Sequence, residues 1–309
     1  MVITPRPCEV CGGAEFRHLL RRGEHDFWLC RSCRLIRIDP QPTDETLAAV
    51  YSGKYFQAWG VHTNADQVLQ LKRDTFRKYI LRPVGLKKGA IVLDCGAAFG
   101  ALMDVAAESG LEPYGIELVA EAASEIARRF GPERVFSGPF ERASFAGLGG
   151  RAFDCVFMCD FIEHVREPST VLQKAWSLLK PGGCLAITTP DTNSPSCRIM
   201  GAGWPHYNVE HLYCFNRRNL ATLLMRAGLT IAHSGTARKV VTLEYICHHL
   251  NARPRPLVTP GVNLLARCVG RRLRNWQASF ALGQMLVVAV KDGCCSPAIT
   301  STDKTQPRT

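Results

Sequence analysis

The stretch Ala90-Ile-Val-Leu-Asp-Cys-Gly-Ala-Ala-Phe-Gly100 decides the fold. Its first four residues are apolar and predict a buried strand, and Asp94 stands at the carboxyl end of that strand. A turn that contains glycine follows, and a helix is predicted from Ala101 to Ser109. In open α/β sheets, ligands bind beyond the carboxyl ends of the strands, where glycine lets the backbone come close to them. The stretch therefore predicts an α/β fold with a ligand site near Asp94.

A second strand and a second acid narrow the choice of ligand. The segment Pro113-Tyr-Gly-Ile predicts a strand, and Glu117 follows it, 17 residues after Gly100. A carboxylate there can accept hydrogen bonds from both hydroxyls of a ribose, as in a dinucleotide or in S-adenosylmethionine (SAM). The turn reads Asp-x-Gly-x-x-x-Gly instead of the dinucleotide fingerprint Gly-x-Gly-x-x-Gly. Its acid would repel a pyrophosphate and attract the cationic methionine part of SAM, so SAM is favoured.

Four of the fourteen cysteines form two pairs, Cys8-Glu-Val-Cys11 and Cys30-Arg-Ser-Cys33. Each C-x2-C pair makes a tight turn that presents two thiolates, and the intervening segment is long enough for a hairpin that joins the pairs. The spacing predicts a zinc ribbon over residues 1–40, with one structural Zn2+ and no open coordination position for catalysis. Two redox-active dithiols are the alternative.

Four further segments follow in order, and with residues 92–100 they resemble the class I SAM-dependent methyltransferases. These segments are Phe153–Asp160, Phe161–Pro168, Leu178–Pro190 and Glu210–Asn216. The last is similar to a motif of a bacterial small-molecule subgroup that includes ubiquinone-type and sugar methyltransferases, many of which carry a zinc ribbon. The resemblance covers residues 5–235 and departs from the family at Ala98, where glycine is usual. It implies an α/β fold with a Rossmann-like, seven-stranded sheet behind the small N-terminal ribbon.

The resemblance also implies which residues would hold SAM. Asp94 and Gly96 would lie near its methionine part, Glu117 near its ribose, and Arg73 or Arg77 near its carboxylate. Phe140, in the loop 138–141, would border the adenine, and the residues after the fourth strand would border the transferred methyl group. The implied cofactor site consists of Asp94, Gly96, Gly100, Glu117, Leu118, Phe140, Asp160 and Phe161.

Two Glu-His pairs are candidates for acid–base chemistry. A neutral hydroxyl or an acidic carbon needs a base to accept a methyl group, and the candidates are His211, His164 and Glu210. In sugar C-methyltransferases with the same ribbon, a histidine of a similar pair resembles the base, which favours His211. The alternative is that both histidines only form hydrogen bonds that shape their loops. A third reading uses the spacing of Asp160, Glu163 and His164 on one helical turn, which with His206 or His211 would suit a divalent cation.

Length and hydropathy set the remaining boundaries. The 309 residues predict a ribbon, a helical connector over 41–88 with a helix near 64–81, a methyltransferase domain over 89–292, and a disordered tail over 293–309. A basic helical insertion over 235–280 contains a helix predicted at 262–277. The longest apolar run, 281–290, is too short to span a membrane, and the N-terminal residues contain no apolar signal segment. A cytoplasmic location is therefore expected.

The charge distribution bears on partners. The net charge is +11, and residues 181–309 hold 15 basic against 5 acidic residues, while residues 89–180 hold 8 against 13. The helix at 262–277 is basic and amphipathic, which suits a lid, a homodimer contact, peripheral membrane contact or a solvated face. RNA methylation is an alternative to a small-molecule acceptor, but Cys159-Asp-Phe-Ile162 lacks the Asn/Asp-Pro-Pro-aromatic motif of enzymes that methylate base nitrogens. No stable nucleic-acid partner is expected, and a non-catalytic SAM-binding protein is the remaining alternative.

Overall fold

A computed structural model describes residues 6–50, 65–145, 153–252 and 258–292. Its main sheet has seven strands in the order β10-β11-β8-β7-β4-β5-β6. The strands are β4 (Ile91–Cys95), β5 (Glu112–Glu117), β6 (Val135–Ser137), β7 (Phe153–Cys159), β8 (Leu179–Pro190), β10 (Leu229–Val241) and β11 (Ala278–Lys291). All neighbours from β8 to β6 are parallel, and β11 is antiparallel to both β8 and β10. The expected α/β class and seven-stranded sheet are confirmed.

Both faces of the central strands are buried, which explains why these strands are mostly apolar, apart from Asp94 on β4 and Asp154 on β7. On β4, Val92 packs in one apolar cluster and Leu93 in another, and on β7 the neighbours Cys155 and Val156 divide in the same way. Several of the cysteines outside the two C-x2-C pairs thus serve as small apolar side chains in these layers.

Helices cover the sheet and connect its strands. They are α1 (Asp44–Val50), α2 (Ala65–Thr75), α3 (Ala101–Glu108), α4 (Ala120–Phe130), α5 (Pro168–Leu178), α6 (Pro195–Met200), α7 (Arg217–Arg226), α8 (Leu243–Ala252), α9 (Val258–Cys268) and α10 (Arg271–Arg274). The helix α2 continues through a π-helical turn, Phe76–Leu81, and one last turn, Arg82–Val84. The helix predicted at 64–81 is therefore present in its described part and ends three residues later.

The C-terminal third differs from the sequence-based prediction in its element lengths. The single helix predicted at 262–277 is two helices, α9 and α10, which are separated at Gly270. The strands β10 and β11 extend to Val241 and back to Ala278 and form a long antiparallel ribbon. The predicted disordered tail at 293–309 lies outside the described residues.

The N-terminal cysteine segment forms a second sheet, in the order β1-β2-β3-β9. Its strands are β1 (Phe16–Arg22), β2 (His25–Cys30), β3 (Ile36–Ile38) and β9 (Tyr213–Cys214). Three strands come from the predicted ribbon, whereas β9 belongs to the methyltransferase part of the chain. The pairing of β3 with β9 is antiparallel, and the amide of Ile38 donates to the carbonyl of Leu212 at 3.0 Å. The ribbon is thus built into the larger domain.

A buried arginine strengthens this junction. Arg37 on β3 is fully buried and donates hydrogen bonds to the carboxylates of Glu9 at 3.1 Å and Asp39 at 2.7 Å. The hydroxyl of Tyr213 on β9 donates to the same Glu9 at 3.1 Å. A buried ion pair with such partners is costly to break from one side, because the remaining charges lose their compensation.

Candidate functional site

The turn after β4 has a left-handed backbone at three positions. Gly96 and Gly100 both have φ of 74°, and a Cβ on Gly96 would lie 3.1 Å from the ring of Phe161. Ala98 has φ of 48°, a conformation that costs an L-residue about 1–2 kcal/mol. Its amide donates to Oε2 of Glu117 at 2.7 Å, so the second acid helps to hold the turn open.

The first two acids of the predicted cofactor site are buried side by side. Asp94 is 4% exposed and Glu117 is 6% exposed. Burial, assisted by the charge of Glu117, raises the pKa of Asp94 to about 7. Burial also raises the pKa of Glu117, although the amides of Val119 and Ala98 donate to its carboxylate. A cation bound between these acids would compensate charges that burial destabilises.

A lysine that sequence reasoning missed faces these acids. Burial and the neighbouring Lys239 lower the pKa of Lys72 on α2, while the charges of Asp160, Asp94 and Glu117 act in the opposite direction. The available signal was periodicity, because Lys72 lies one turn after the buried Val68 and therefore on the side of α2 that faces the sheet.

Arg73 and Arg77, which were expected near the carboxylate of SAM, form ion pairs with acidic side chains. Arg73 bonds to the carboxylate of Glu108 and lies 3.8 Å from that of Asp104. Arg77 bonds to Glu108 and to Asp74. Both guanidinium groups are thus engaged in ion pairs with α2 and α3, and a contact of Arg73 or Arg77 with a ligand carboxylate stays a prediction.

Asp160 follows β7 at the same edge of the sheet, in a left-handed conformation with φ of 54°. Its carboxylate accepts hydrogen bonds from Nζ of Lys239, at 3.0 Å, and from the amide of Gln284. Desolvation of the site would raise the pKa of Asp160, but the Lys239 ammonium holds it below its usual range. The next residue, Phe161, packs edge-on against Phe140, with ring centroids 5.9 Å apart.

The predicted cofactor residues therefore gather around the carboxyl ends of three neighbouring strands, β7, β4 and β5. Phe140 is buried, whereas Leu118 is 58% exposed and lies at the outer rim. The amide of Gly138 donates to the carbonyl of Glu117 at 2.9 Å, which keeps the loop 138–141 beside this acid. Sequence reasoning found this edge but missed Lys72, Lys239 and Gln284.

The candidate bases lie together in a histidine cluster. The rings of His164 and His211 meet edge-on, with centroids 4.8 Å apart, and His206 stacks on His211 at 5.7 Å. Nδ1 of His211 lies 2.8 Å from the carbonyl oxygen of His206, so a neutral His211 carries its proton on Nδ1 and leaves the Nε2 lone pair available. Burial lowers the pKa of His164 to about 4 and that of His211 well below its usual value. Glu210 is buried, and its backbone hydrogen-bonds to the imidazole of His164.

Among these groups, the carboxylate of Glu163 is the least favourable one to bury. It is 1% accessible, and among the described residues neither of its carboxylate oxygens has a hydrogen-bond partner. Burial and the charge of Asp160 raise its pKa to about 8. The ligand atoms of Glu163, His164 and His211 lie within 4.8 Å of one another, which could suit a divalent cation. Asp160, which the sequence added to this set, bonds to Lys239 and Gln284 instead.

A cavity of about 440 Å³ with several polar residues in its wall adjoins this edge through Gln284. Arg217 in its wall donates to the carboxylate of Asp191 at 3.2 Å and to the hydroxyl of Thr236 at 2.8 Å. Ser194 also lines it. The cavity thus offers hydroxyl, amide, guanidinium and carboxylate groups close to Asp160.

The four N-terminal cysteines converge as their spacing predicts. Sγ of Cys8 lies 3.5 Å from that of Cys33, Sγ of Cys11 lies 3.5 Å from that of Cys30, and all four sulfurs are within 4.8 Å of one another. Tetrahedral Zn2+ with Zn–S bonds of about 2.3 Å requires sulfurs about 3.8 Å apart. A hydrogen bond between Cys8 and Cys33 lowers the pKa of Cys8 and raises the pKa of Cys33, so the two thiols share one proton. The donor set therefore fits a structural zinc ion.

Comparison with known proteins shows which family the chain belongs to. A family described as "Methyltransferase domain" matches residues 62–234, which is more than half of the chain. The chain belongs to the methyltransferase domain family. Its seven-stranded sheet is that of the class I SAM-dependent members, as the sequence motifs implied.

Relatives and solved structures agree with this assignment. The chain is 31% identical over 130 residues to the ubiquinone biosynthesis O-methyltransferase of Leptothrix cholodnii, with 40% of this chain and 55% of the relative covered. It is 30% identical over 162 residues to the enzyme of the same name from Bordetella avium, with 49% and 67% covered. The chain thus spans about half to two thirds of the length of these relatives.

Two solved structures share the fold. The Burkholderia thailandensis 1,6-didemethyltoxoflavin-N1-methyltransferase, with 1,6-didemethyltoxoflavin and S-adenosylhomocysteine bound, is 17% identical, covers 90% of this chain and 99% of its own, and has a TM-score of 0.52. The complex of the Haloferax volcanii Trm112 methyltransferase activator with a putative methyltransferase yields a chain that is 16% identical, covers 82% and 100%, and has a TM-score of 0.53. At these identities the likeness concerns the fold.

Of the predictions on partners and location, the structure bears only on membrane-spanning helices. Among the described residues, no helix is both long and apolar enough to cross a membrane. The cytoplasmic location and the homodimer stay predictions.

Replacing Glu163 tests the cost of burying this acid. Its pKa is about 8 in the fold, against about 4.3 in an unfolded chain, so the folded state alone keeps the proton between these values. The wild-type free energy of unfolding should therefore fall as the pH rises from about 5 to 8, by up to about 1.4 kcal/mol per pH unit. Glu163→Gln should fall less steeply and be the more stable protein at pH 8, as measured by urea unfolding of both proteins at the same zinc content. Glu24→Gln, at an exposed glutamate, is the control, and an equal change there would contradict the prediction.

Proposed function

We propose that the protein transfers a methyl group from SAM to a small-molecule acceptor. The observation that carries the proposal is the convergence of Asp94, Glu117 and Asp160 at the carboxyl ends of three neighbouring strands, beside a left-handed glycine turn. Family membership supports the reaction class, and the names of the ubiquinone biosynthesis relatives support a small-molecule acceptor. SAM supplies an electrophilic methyl group on a cationic sulfur.

The chain's own residues would hold the two ends of SAM by charge and shape. Glu117, anchored by two amides, keeps lone pairs that can accept the ribose hydroxyls. The absence of a Cβ on Gly96 lets the ring of Phe161 pack against the turn, and Asp94 favours a cationic amino group. Lys72 is the basic side chain best placed to offset an added carboxylate, because its electrostatic neighbours are Asp160, Asp94 and Glu117.

The acceptor would approach from the side of β8 and β11. The carboxylate of Asp160 accepts hydrogen bonds from Lys239 and Gln284. Gln284 also lines the cavity, so this one side chain contacts both regions. A cavity wall of Arg217, Asp191, Ser194 and Thr236 suits an acceptor with hydroxyl or carbonyl groups. Orientation by these groups would provide much of the rate enhancement for an in-line methyl transfer.

His211 is the proposed base. The carbonyl of His206 fixes its proton on Nδ1, which leaves Nε2 to accept a proton from an acceptor hydroxyl or carbon. Its lowered pKa keeps the ring neutral at physiological pH and makes Nε2 a weaker base than an exposed imidazole. His164 is the second candidate, and Glu210 would act through its backbone contact with His164. A divalent cation held by Glu163, His164 and His211 is the competing role for the same cluster.

The zinc ribbon is proposed as a structural element. The sulfur geometry supports one Zn2+ held by Cys8, Cys11, Cys30 and Cys33. All four ligand positions would be filled by the chain, so no step of the reaction is assigned to this ion.

Labelled SAM provides the test of the function. Purified protein is incubated with methyl-labelled SAM and a host extract, and the label is separated into lipid, water-soluble and RNA fractions. Label in a lipid or small-molecule fraction is expected, and label in RNA that ribonuclease releases would replace this proposal by RNA methylation. Absence of transfer with intact SAM binding would favour a non-catalytic SAM-binding protein.

The same assay locates the cofactor site. Glu117→Ala should weaken SAM binding at least about tenfold, since a buried carboxylate loses hydrogen bonds to the ligand worth roughly 1.5–3 kcal/mol, and Asp94→Ala should weaken it as well. Calorimetric titration with SAM measures both, and Glu112→Ala, at an exposed glutamate that begins β5, is the control. Unchanged affinity in both variants would show that the site has been assigned to the wrong residues.

Replacing His211 distinguishes a base from a loop residue. His211→Ala should lower kcat by about 10²- to 10⁴-fold with SAM affinity retained, because the acceptor proton loses its acceptor group. The wild-type rate should hold as the pH falls below 6, since the lowered pKa keeps His211 neutral there. His233→Ala on the edge strand β10 is the control. Full turnover by His211→Ala on the true acceptor would move the role to His164, which His164→Ala tests directly.

Metal analysis tests the ribbon. The wild type should contain one zinc per chain, and Cys8→Ser should contain less than one and unfold at a lower temperature, because a structural ion contributes directly to folding. Cys268→Ser, at an exposed cysteine of α9, should keep both the zinc and the melting temperature. One zinc per chain in Cys8→Ser would contradict the assignment, and a zinc-free wild type with oxidisable cysteine pairs would favour redox dithiols.

A further inference from the structure

Exposed apolar side chains are concentrated in one short segment of the protein. The described residues include ten large apolar side chains that are substantially exposed, and six of them fall between residues 264 and 282. These six are Leu264, Leu265, Leu273, Trp276, Phe280 and Leu282, with Trp276 being 69% exposed. Single exposed apolar residues need no explanation, but a cluster of this kind marks an interaction surface.

The helix α9 shows that this exposure is organised by the fold. Thr259 and Ala266 are buried, and the hydroxyl of Thr259 donates to the carbonyl of Leu250, so this side of α9 packs against α8. Leu264 and Leu265 lie on the opposite side and are 62% and 54% exposed. The helix therefore has a second apolar side that the core does not use.

The charge of the same segment is uniformly positive. Residues 258–282 contain four arginines and no acidic residue. Arg267, between the exposed leucines and the end of α9, is itself exposed. Arg274 lies 3.8 Å from Glu244, which is the only acidic residue between positions 238 and 280. Little of this positive charge is therefore neutralised within the segment.

We propose that residues 258–282, the basic apolar face, dock on the surface of an anionic lipid membrane. Arginines combined with exposed leucine and tryptophan side chains are the composition of helices that lie in the membrane interface. Anionic headgroups attract the arginines, while the leucines and Trp276 enter the boundary of the acyl chains. RNA would use the arginines but would leave most of these apolar side chains in water. The 11-residue helix α9 is too short to span the bilayer.

The strand register connects this face with the candidate site. Phe280 on β11 pairs with Lys239 on β10, and Lys239 donates to Asp160. Two residues beyond Leu282, Gln284 also donates to Asp160. A membrane held at Phe280 and Leu282 would thus border the acceptor side, and acceptors dissolved in lipid would reach the site directly. This consequence rests on the proposed function, whereas the docking itself does not.

Vesicle binding tests the docking without SAM or acceptor. The full-length protein is sedimented with vesicles of phosphatidylcholine alone or with 30% phosphatidylglycerol, at low and high salt. Wild type should bind the anionic vesicles at least about tenfold more tightly than the neutral ones, and 0.5 M salt should weaken that binding. Leu264→Asp combined with Leu265→Asp should reduce binding to anionic vesicles at least about tenfold, because the apolar contact is lost and negative charge is added.

A matched control uses exposed apolar residues elsewhere. Ile199→Asp combined with Met225→Asp alters side chains that are 85% and 59% exposed on α6 and α7, and it should bind vesicles like the wild type. Both double variants should retain the wild-type melting temperature because all four side chains are exposed. Equal binding to neutral vesicles, no binding at all, or equal loss in both double variants would overturn the proposal. So would a wild-type dimer that Leu264→Asp/Leu265→Asp converts to monomer while vesicles remain unbound, because a second copy would then cover the face.

Discussion

The main constraint on this structure is that several carboxylates lie close together at one desolvated edge of a sheet, where their charges are unfavourable. Parallel pairing brings the ends of β7, β4 and β5 together, so Asp160, Asp94 and Glu117 become neighbours whether or not their charges favour it. Burial raises the pKa of Asp94 and of Glu117, and Lys72 and Lys239 supply the compensating positive charge. Left-handed backbone at Ala98 and Asp160 adds strain at the same place. Backbone strain and several buried charges in one location are typical of binding sites, where a bound ligand offsets their cost.

The parts of this site that sequence could predict are those fixed by local chemistry. Asp94, the glycine turn and Glu117 each follow directly from a strand end, and the two C-x2-C pairs define their own metal geometry. Lys72, Lys239 and Gln284 reach the site from α2, β10 and β11, and only the tertiary fold brings them there. Lys72 was missed beside Arg73 because successive residues of a helix point about 100° apart, and only the tertiary fold shows which of them faces the acids. The break at Gly270 similarly depends on how α9 and α10 pack on α8.

In the histidine cluster, stability is lost because polar groups are buried with few hydrogen bonds. Glu163 has no hydrogen-bond partner among the described residues, while His164 and His211 are held neutral by burial. A core selected for stability alone would replace such a group with an apolar side chain. Sequence reasoning identified the members of the cluster because they occur in Glu-His pairs. It placed Asp160 in the same cluster because the spacing i, i+3, i+4 assumes a regular helix, whereas the segment Ile162–His164 is a single 3-10 turn after a left-handed residue.

The shared strand β9 has a consequence for how the chain is made. The cysteine hairpin leaves the ribosome early, but its sheet gains its fourth strand only when residues 213–214 emerge. The hydrogen bond from Asn216 to the carbonyl of Cys33 spans 183 residues, which corresponds to roughly 10 to 40 s of synthesis at typical rates. During that interval the edge of β3 is unpaired and open to pairing with other chains. Early metal capture by the four cysteines would then protect the nascent hairpin until its distant partner arrives.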